Sequence, residues 1–179
     1  MDRKELGILY PIVLKEYDKR WPTLFKQEKN RLLSLFGSPL VIEHIGSTAI
    51  IGLSAKPTID ILLETPKNLT RSQIINMMEQ NGYIHMKEQK RHLMFVKGYT
   101  LEGLDEESFH IHIGSKDQEW LWDRLYFRDY LNENQVEAKR YELLKKELAA
   151  KYKYDRDGYT DSKSDYIERI TEIAKREMQ

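Results

Sequence analysis

The residues best suited to chemistry in this chain fall in one stretch: His44-Ile45-Gly46-Ser47-Thr48, then Gly52-Leu53, then Lys56-Pro57-Thr58-Ile59-Asp60-Ile61. Glycine lets a backbone approach a ligand closely, and free amides and hydroxyls at Ser47 and Thr48 can donate to phosphate oxygens, particularly where a short helix begins. Lys56 stands between this turn and the acid that follows, a place from which an ammonium can touch a bound phosphate. Asp60 comes thirteen residues after Ser47, among Ile59, Ile61, Leu62 and Leu63. A carboxylate in so apolar a run needs a partner or a metal, and an acid so placed can hold a divalent ion against phosphates at the turn. The order of residues is neither a Walker loop nor the Gly-x-Gly-x-x-Gly of dinucleotide folds.

A second group stands later in the chain. His110 and His112 flank Ile111 in a strand-like run, so their rings share a face with α-carbons roughly 6.6 Å apart. They can converge on one ion, and imidazole favours zinc, manganese or a similar transition ion over magnesium. Equally, one of them can serve as a general base near neutral pH, or both can form a hydrogen-bonded polar strand face. Arg91, His92 and Arg128 are candidates to line the same cleft, with an internal ion pair to Asp129 as the alternative for Arg128.

The elements that must position these groups can be read from periodicity. Trp21, Leu24, Phe25, Leu32, Leu35 and Phe36 predict a helix over 20–36, opened by Pro22 and closed by Gly37. Thr70 with Gln73 predicts a capping box in front of a helix that ends at Asn81-Gly82. Strands are expected at 40–45, 58–63, 83–86, 93–96 and 109–113, the first two bracketing an irregular segment that carries the phosphate turn. From Asp117 onward apolar residues recur at helical intervals, interrupted over 152–159. The expected architecture is α+β or α/β: a mixed five-stranded sheet with flanking helices and a helical C-terminal third, in a single domain over 1–179.

Composition narrows the function further. The 179 residues include 29 basic and 29 acidic side chains, so no global field draws nucleic acid or anionic lipid, though a strip of Lys87, Lys90, Arg91 and Lys97 beside the cleft would supply a local one. There is no cysteine, which excludes disulfides, thiolate metal sites and thiol catalysis. No segment reaches the length needed to cross a bilayer, and Met1 to Leu6 carry both charges, so a cytoplasmic protein without membrane partner is expected. Nothing in the sequence specifies an oligomeric state.

Taken together, His44 to Thr48, Gly52, Leu53, Lys56, Pro57, Ile59 to Ile61, His110-Ile111-His112, Phe127-Arg128-Asp129-Tyr130-Leu131, Tyr159 and Lys163 resemble the GrpB family over roughly the whole chain. That family resembles the nucleotidyltransferase superfamily. The resemblance implies a nucleotidyltransferase-like fold in which Gly46 and Ser47 match the glycine-serine pair that binds a nucleoside triphosphate, and Asp60 matches the first metal-binding acid. Thr48, Lys56, Arg91 and Arg128 complete the expected set for a nucleotide or other phosphorylated small molecule, and a divalent metal, magnesium or manganese, is expected on Asp60, with His110 and His112 as further candidate ligands. The second acid of the superfamily pattern is replaced by Leu62, and Glu64 stands roughly 13 Å along the strand from Asp60, too far to share one centre. Two readings follow: a nucleotidyltransferase with Asp60 as its catalytic acid, or a non-catalytic nucleotide-binding or regulatory module that kept the cradle.

Overall fold

The computed structural model describes residues 3–37 and 39–178. In chain order it runs α1 (Arg3–Leu9), α2 (Trp21–Phe36), β1 (Ile42–Ile45), a single 3-10 turn (Ser47–Ala49), β2 (Thr58–Glu64), α3 (Arg71–Gln80), β3 (Ile84–His85), β4 (Leu93–Thr100), β5 (Gly103–Gly114), α4 (Glu119–Trp122), α5 (Arg124–Glu133), α6 (Gln135–Lys151) and α7 (Arg156–Glu177). The five strands form one mixed sheet in the order β1-β2-β5-β4-β3. Only β2 and β5 run parallel; β1 with β2, β4 with β5 and β3 with β4 are antiparallel.

Local sequence accounts for most element ends. Thr70 accepts from the Gln73 amide while the Gln73 side chain accepts from Thr70, so the capping box forms as its spacing requires. The β4–β5 hairpin is longer than the apolar runs at 93–96 and 109–113 imply, because the tip, 99–108, is polar and lacks alternation. Thr100 holds the turn instead, its hydroxyl donating to Gly103 O at 2.9 Å and accepting from Glu102 N at 3.2 Å. The break after α6 is also shorter than 152–159: Asp155 accepts from Gly158 N at 2.9 Å, and the helix restarts at Arg156.

The pleat sorts residues by face. Ile59, Ile61, Leu63, Phe109, Ile111, Ile113, Leu93 and Phe95 pack under α2 and α3 through Trp21, Leu32, Ile74 and Met78, which makes the main core. The alternate positions Asp60, Leu62, His110 and His112 point to the other face, toward the C-terminal helices. There Leu62 and Ile45 pack on Leu121 of α4, and Ile50 and Leu53 join Phe127, Leu131, Ala138, Tyr141 and Ile170 in a core shared by α5, α6 and α7. A bulge in β4 between Lys97 and Tyr99, at Gly98 with φ +80°, turns Tyr99 onto the same face as His110. Among the described residues, no helix is long and apolar enough to cross a membrane.

Candidate functional site

Asp60 is the centre of the site. It pairs across the sheet with Ile45 on one side and His110 on the other, so the chain that leaves β1 as Gly46-Ser47 passes directly over it. Gly46 has φ +72°, and a Cβ built there would fall 2.4 Å from Asp60 Oδ2. Only glycine fits a backbone laid against a carboxylate at that dihedral. The glycine-serine turn and the acid therefore meet, as the strand–turn–strand order predicts.

The turn is held from behind. The Thr48 hydroxyl is buried, donates to Thr58 O at 3.3 Å and lies 2.9 Å from His44 Nε2, so it staples the turn to the start of β2. Its proton is committed there, so of the amide and hydroxyl expected to donate to phosphate at Thr48, the hydroxyl is already engaged. His44 packs on the Phe25 ring at 4.8 Å, and burial, with Arg128 nearby, outweighs the pull of Asp60 to push its imidazole down to about 4. The neutral ring then donates from Nε2 to Thr48. The loop that follows is pinned by the paired backbones of Ala55 and Lys15, and by Ser54, which donates to the Glu142 carboxylate of α6.

Around Asp60 stand more cations than the sequence suggested. Lys56 comes from this loop, Lys145 from α6, Arg156 and Lys163 from α7, and Arg124 from the start of α5. On α7, Arg156, Tyr159 and Lys163 recur at helical spacing, so one stripe aims all three inward. Lys56 and Lys163 lie over the Tyr159 ring, 5.5 and 4.1 Å from its centroid. Burial depresses Lys56 to about 7, helped by Arg156 and Lys163 and opposed by Asp60. It depresses Lys163 to about 8 against the pull of Asp60. Lys145, 1% exposed, falls to about 7 through burial and the charges of Lys163 and Lys56, and donates to Ser54 O. Burial also lowers Arg124, with Asp60 acting in the opposite sense. Among the described residues, no carboxylate or carbonyl accepts a hydrogen bond from Lys56, Lys163 or Arg124.

Asp60 itself is already partnered. Burial works against its charge, but the hydrogen bond from His110 and the nearby charge of Lys56 win, and the carboxyl sits at about 2. His110 Nδ1 lies 3.1 Å from Asp60 Oδ1, and its Nε2 lies 2.6 Å from the Tyr99 hydroxyl. Arg156 Nη2 is 3.4 Å from the same hydroxyl and donates from Nη1 to Tyr10 O. His112 turns its Nδ1 to His92 Nε2 at 2.8 Å, and burial keeps both imidazoles neutral, His92 at about 4.

A resident divalent ion does not suit this donor set. Both nitrogens of His110 and one of His112 are engaged, the position of a second acid is the fully buried Leu62, and the surroundings of Asp60 are cationic. Among the described residues no group of three or more His, Asp or Glu side chains comes close enough to share an ion. The expected convergence of Asp60, His110 and His112 on one metal is therefore replaced by two separate hydrogen-bonded pairs. Arg128 is also placed elsewhere: its guanidinium binds Glu43 at 2.6 Å, His44 O at 3.0 Å and Asp129 at 2.6 Å, tying α5 to β1. Arg91 stacks over Trp120 at 3.9 Å beside His92 and is not one of the cations drawn round Asp60. Lys97 pairs with buried Glu28 under the opposite face, so it is not part of a basic strip beside this site.

Tyr99, Arg124, Lys145 and Arg156 escape a reading of sequence because each reaches the site by packing and not by spacing from Ser47. Gly98 was the available signal, since a glycine inside a strand pattern marks a bulge that re-aims its neighbour.

Residues 11–173 match the family model described as GrpB protein. The chain is 35% identical over 164 residues to the glutamate-rich protein GrpB of Alkalihalophilus pseudofirmus, covering 89% of this chain and 93% of that one. It is 35% identical over 161 residues to the UPF0157 protein YqkA of Bacillus subtilis, covering 89% of this chain but 46% of the relative, so it spans about half of YqkA. A crystal structure of the conserved protein GrpB from Enterococcus faecalis superposes with a TM-score of 0.76 at 29% identity, covering 93% of this chain and all of that one.

Proposed function

The chain belongs to the GrpB family, and on that premise we propose that it binds a phosphorylated small molecule, a nucleoside triphosphate in the first instance, between the Gly46-Ser47 turn and the cations of α5, α6 and α7. One observation carries this reading: Lys56, Lys163 and Arg124 are desolvated around a single carboxylate that His110 already holds. Cations half withdrawn from water without a bonded acceptor are costly to a fold, and an anion that enters among them recovers part of that cost. Several cations spread around one turn suit a chain of phosphates better than a lone carboxylate.

In this reading the protein's own ammonium and guanidinium groups neutralise the phosphates, the task that a pair of acids and their metals performs in the superfamily pattern. Ser47, whose hydroxyl is within reach of Tyr141, and the Gly46 backbone orient the phosphate nearest Asp60. The buried Leu62 favours a site that does not use a two-metal centre. Whether a nucleotidyl group is then transferred or the nucleotide is only bound divides the two functional classes, and pyrophosphate release separates them.

Calorimetric titration with ATP, pyrophosphate and inorganic phosphate, in chelator and again with magnesium, tests the proposal. Binding of the two polyphosphates in chelator, weakened at least tenfold (about 1.4 kcal/mol) in Lys56→Met and Lys163→Met, is expected. No binding, or binding only when magnesium is present, would overturn it.

A further inference from the structure

Three side chains in the site form a hydrogen-bonded series that phosphate binding does not use. The Tyr99 hydroxyl is 2.6 Å from His110 Nε2, and His110 Nδ1 is 3.1 Å from Asp60 Oδ1. The order of protons follows from chemistry. An ionised carboxylate only accepts, so Nδ1 carries the hydrogen, and the Tyr99 hydroxyl is placed to donate to Nε2. This is the arrangement in which an imidazole, oriented by an acid, withdraws a proton from a hydroxyl nucleophile. Arg156 adds a guanidinium 3.4 Å from the same oxygen, placed to stabilise negative charge as it develops there. The fold goes out of its way to make this contact, because regular alternation in β4 would put Tyr99 on the other face and the Gly98 bulge brings it back.

We infer that Tyr99 is a nucleophile activated by His110 and Asp60, and that the protein carries a nucleotidyl group on its phenolic oxygen. The inference rests on the binding of a nucleoside triphosphate proposed above. Tyr99 Oη attacks the α-phosphorus, forming an O–P bond as the bond to the β-phosphate oxygen breaks. Its proton passes to His110 Nε2, and the bonding pair leaves with pyrophosphate between Lys56 and Lys163. His110, now cationic, is held by Asp60 until it loses the proton to solvent, or returns it to Tyr99 Oη as an acceptor hydroxyl takes over the nucleotidyl group and releases its own proton to solvent. No oxidant or further reactant enters. Tyr99 is only half-buried.

The test is incubation of the full chain with each of the four nucleoside triphosphates labelled at the α-phosphate, in chelator and in magnesium, followed by intact mass and peptide mapping. The expected result is one nucleotidyl group per chain, mapped to Tyr99 in the unmutated protein, absent in Tyr99→Phe and formed at least a hundredfold more slowly in His110→Asn. Melting curves confirm that both variants fold. Measured binding with no adduct from any of the four nucleotides overturns the inference and leaves the binding proposal standing; an adduct on another residue, or one that persists in Tyr99→Phe, overturns it too. Absence of nucleotide binding would overturn both.

Discussion

Gly98 lies so close to Glu107 that a Cβ on the glycine would fall 2.2 Å from the Glu107 carbonyl oxygen. The glycine is also at φ +80°, so the contact and the dihedral both demand the absence of a side chain. The bulge is thus the device that places Tyr99 beside His110. Gly98→Ala is expected to lower stability by about 2 kcal/mol or more, read as a drop in the midpoint of urea unfolding. It should abolish modification of Tyr99 even at temperatures where the variant stays folded. A variant with unchanged stability would mean that the strand tolerates a regular path at this point.

Asp60→Asn separates a cationic pocket from a metal bridge. If the acid held a metal that contacts phosphate, losing its charge would weaken nucleotide binding. Because the acid faces Lys56, Lys163 and Arg124 and has its own hydrogen bond from His110, removing its charge leaves a stronger positive field. Pyrophosphate binding in chelator is expected to tighten roughly fivefold, about 1 kcal/mol, while the unliganded protein melts at lower temperature. Calorimetry and a thermal scan read the two effects.

The depressed lysines set a pH dependence whose sign is fixed. In the unfolded chain each lysine keeps its proton to about pH 10.4, whereas in the fold Lys56 and Lys145 release theirs near 7 and Lys163 near 8. Folding therefore expels protons in that interval, and the contribution of these groups to stability rises with pH. An anion binds the protonated form. The increase in melting temperature given by pyrophosphate should be largest at pH 6.5 and fade as the pH passes through 7 to 8, and Lys56→Met should flatten the profile.

On the acid side the histidines dominate first. His44 and His92 stay neutral in the fold down to about 4, but in the unfolded chain they take up protons below about 6.5. Stability should fall as the pH drops from 6.5 toward 4, before protonation of Asp60, held at about 2, contributes below its unfolded value near 4. Urea midpoints between pH 7 and 4.5 measure the first phase, and His92→Gln should reduce its amplitude.

Thr48→Val tests the staple behind the turn. Losing the hydroxyl leaves His44 Nε2 and Thr58 O without their partner in a buried position. A loss of about 1–3 kcal/mol is expected, together with weaker pyrophosphate binding, since the Gly46-Ser47 turn is freed from β2. Unchanged affinity would show that the turn is held by Gly46 and Asp60 alone.

The sequence by itself determined what local patterns control. Apolar periodicity and the Thr70 cap marked α2 and α3, the β-branched runs located all five strands, and the Gly46-Ser47 turn followed by Asp60 was visible as strand, turn and strand. Alternation alone placed His110 and His112 on one face. What those side chains do was decided by partners that lie far away along the chain. His110 is engaged by Tyr99 through a bulge, His112 by His92 across the hairpin, and Arg128 by Glu43 of the edge strand. Arg124, Lys145, Arg156 and Lys163 reach the site only because α5, α6 and α7 pack over β2 and β5. Charge and hydrogen bonding act through space, and only the folded chain brings residues 60 and 163 near enough for one to act on the charge of the other.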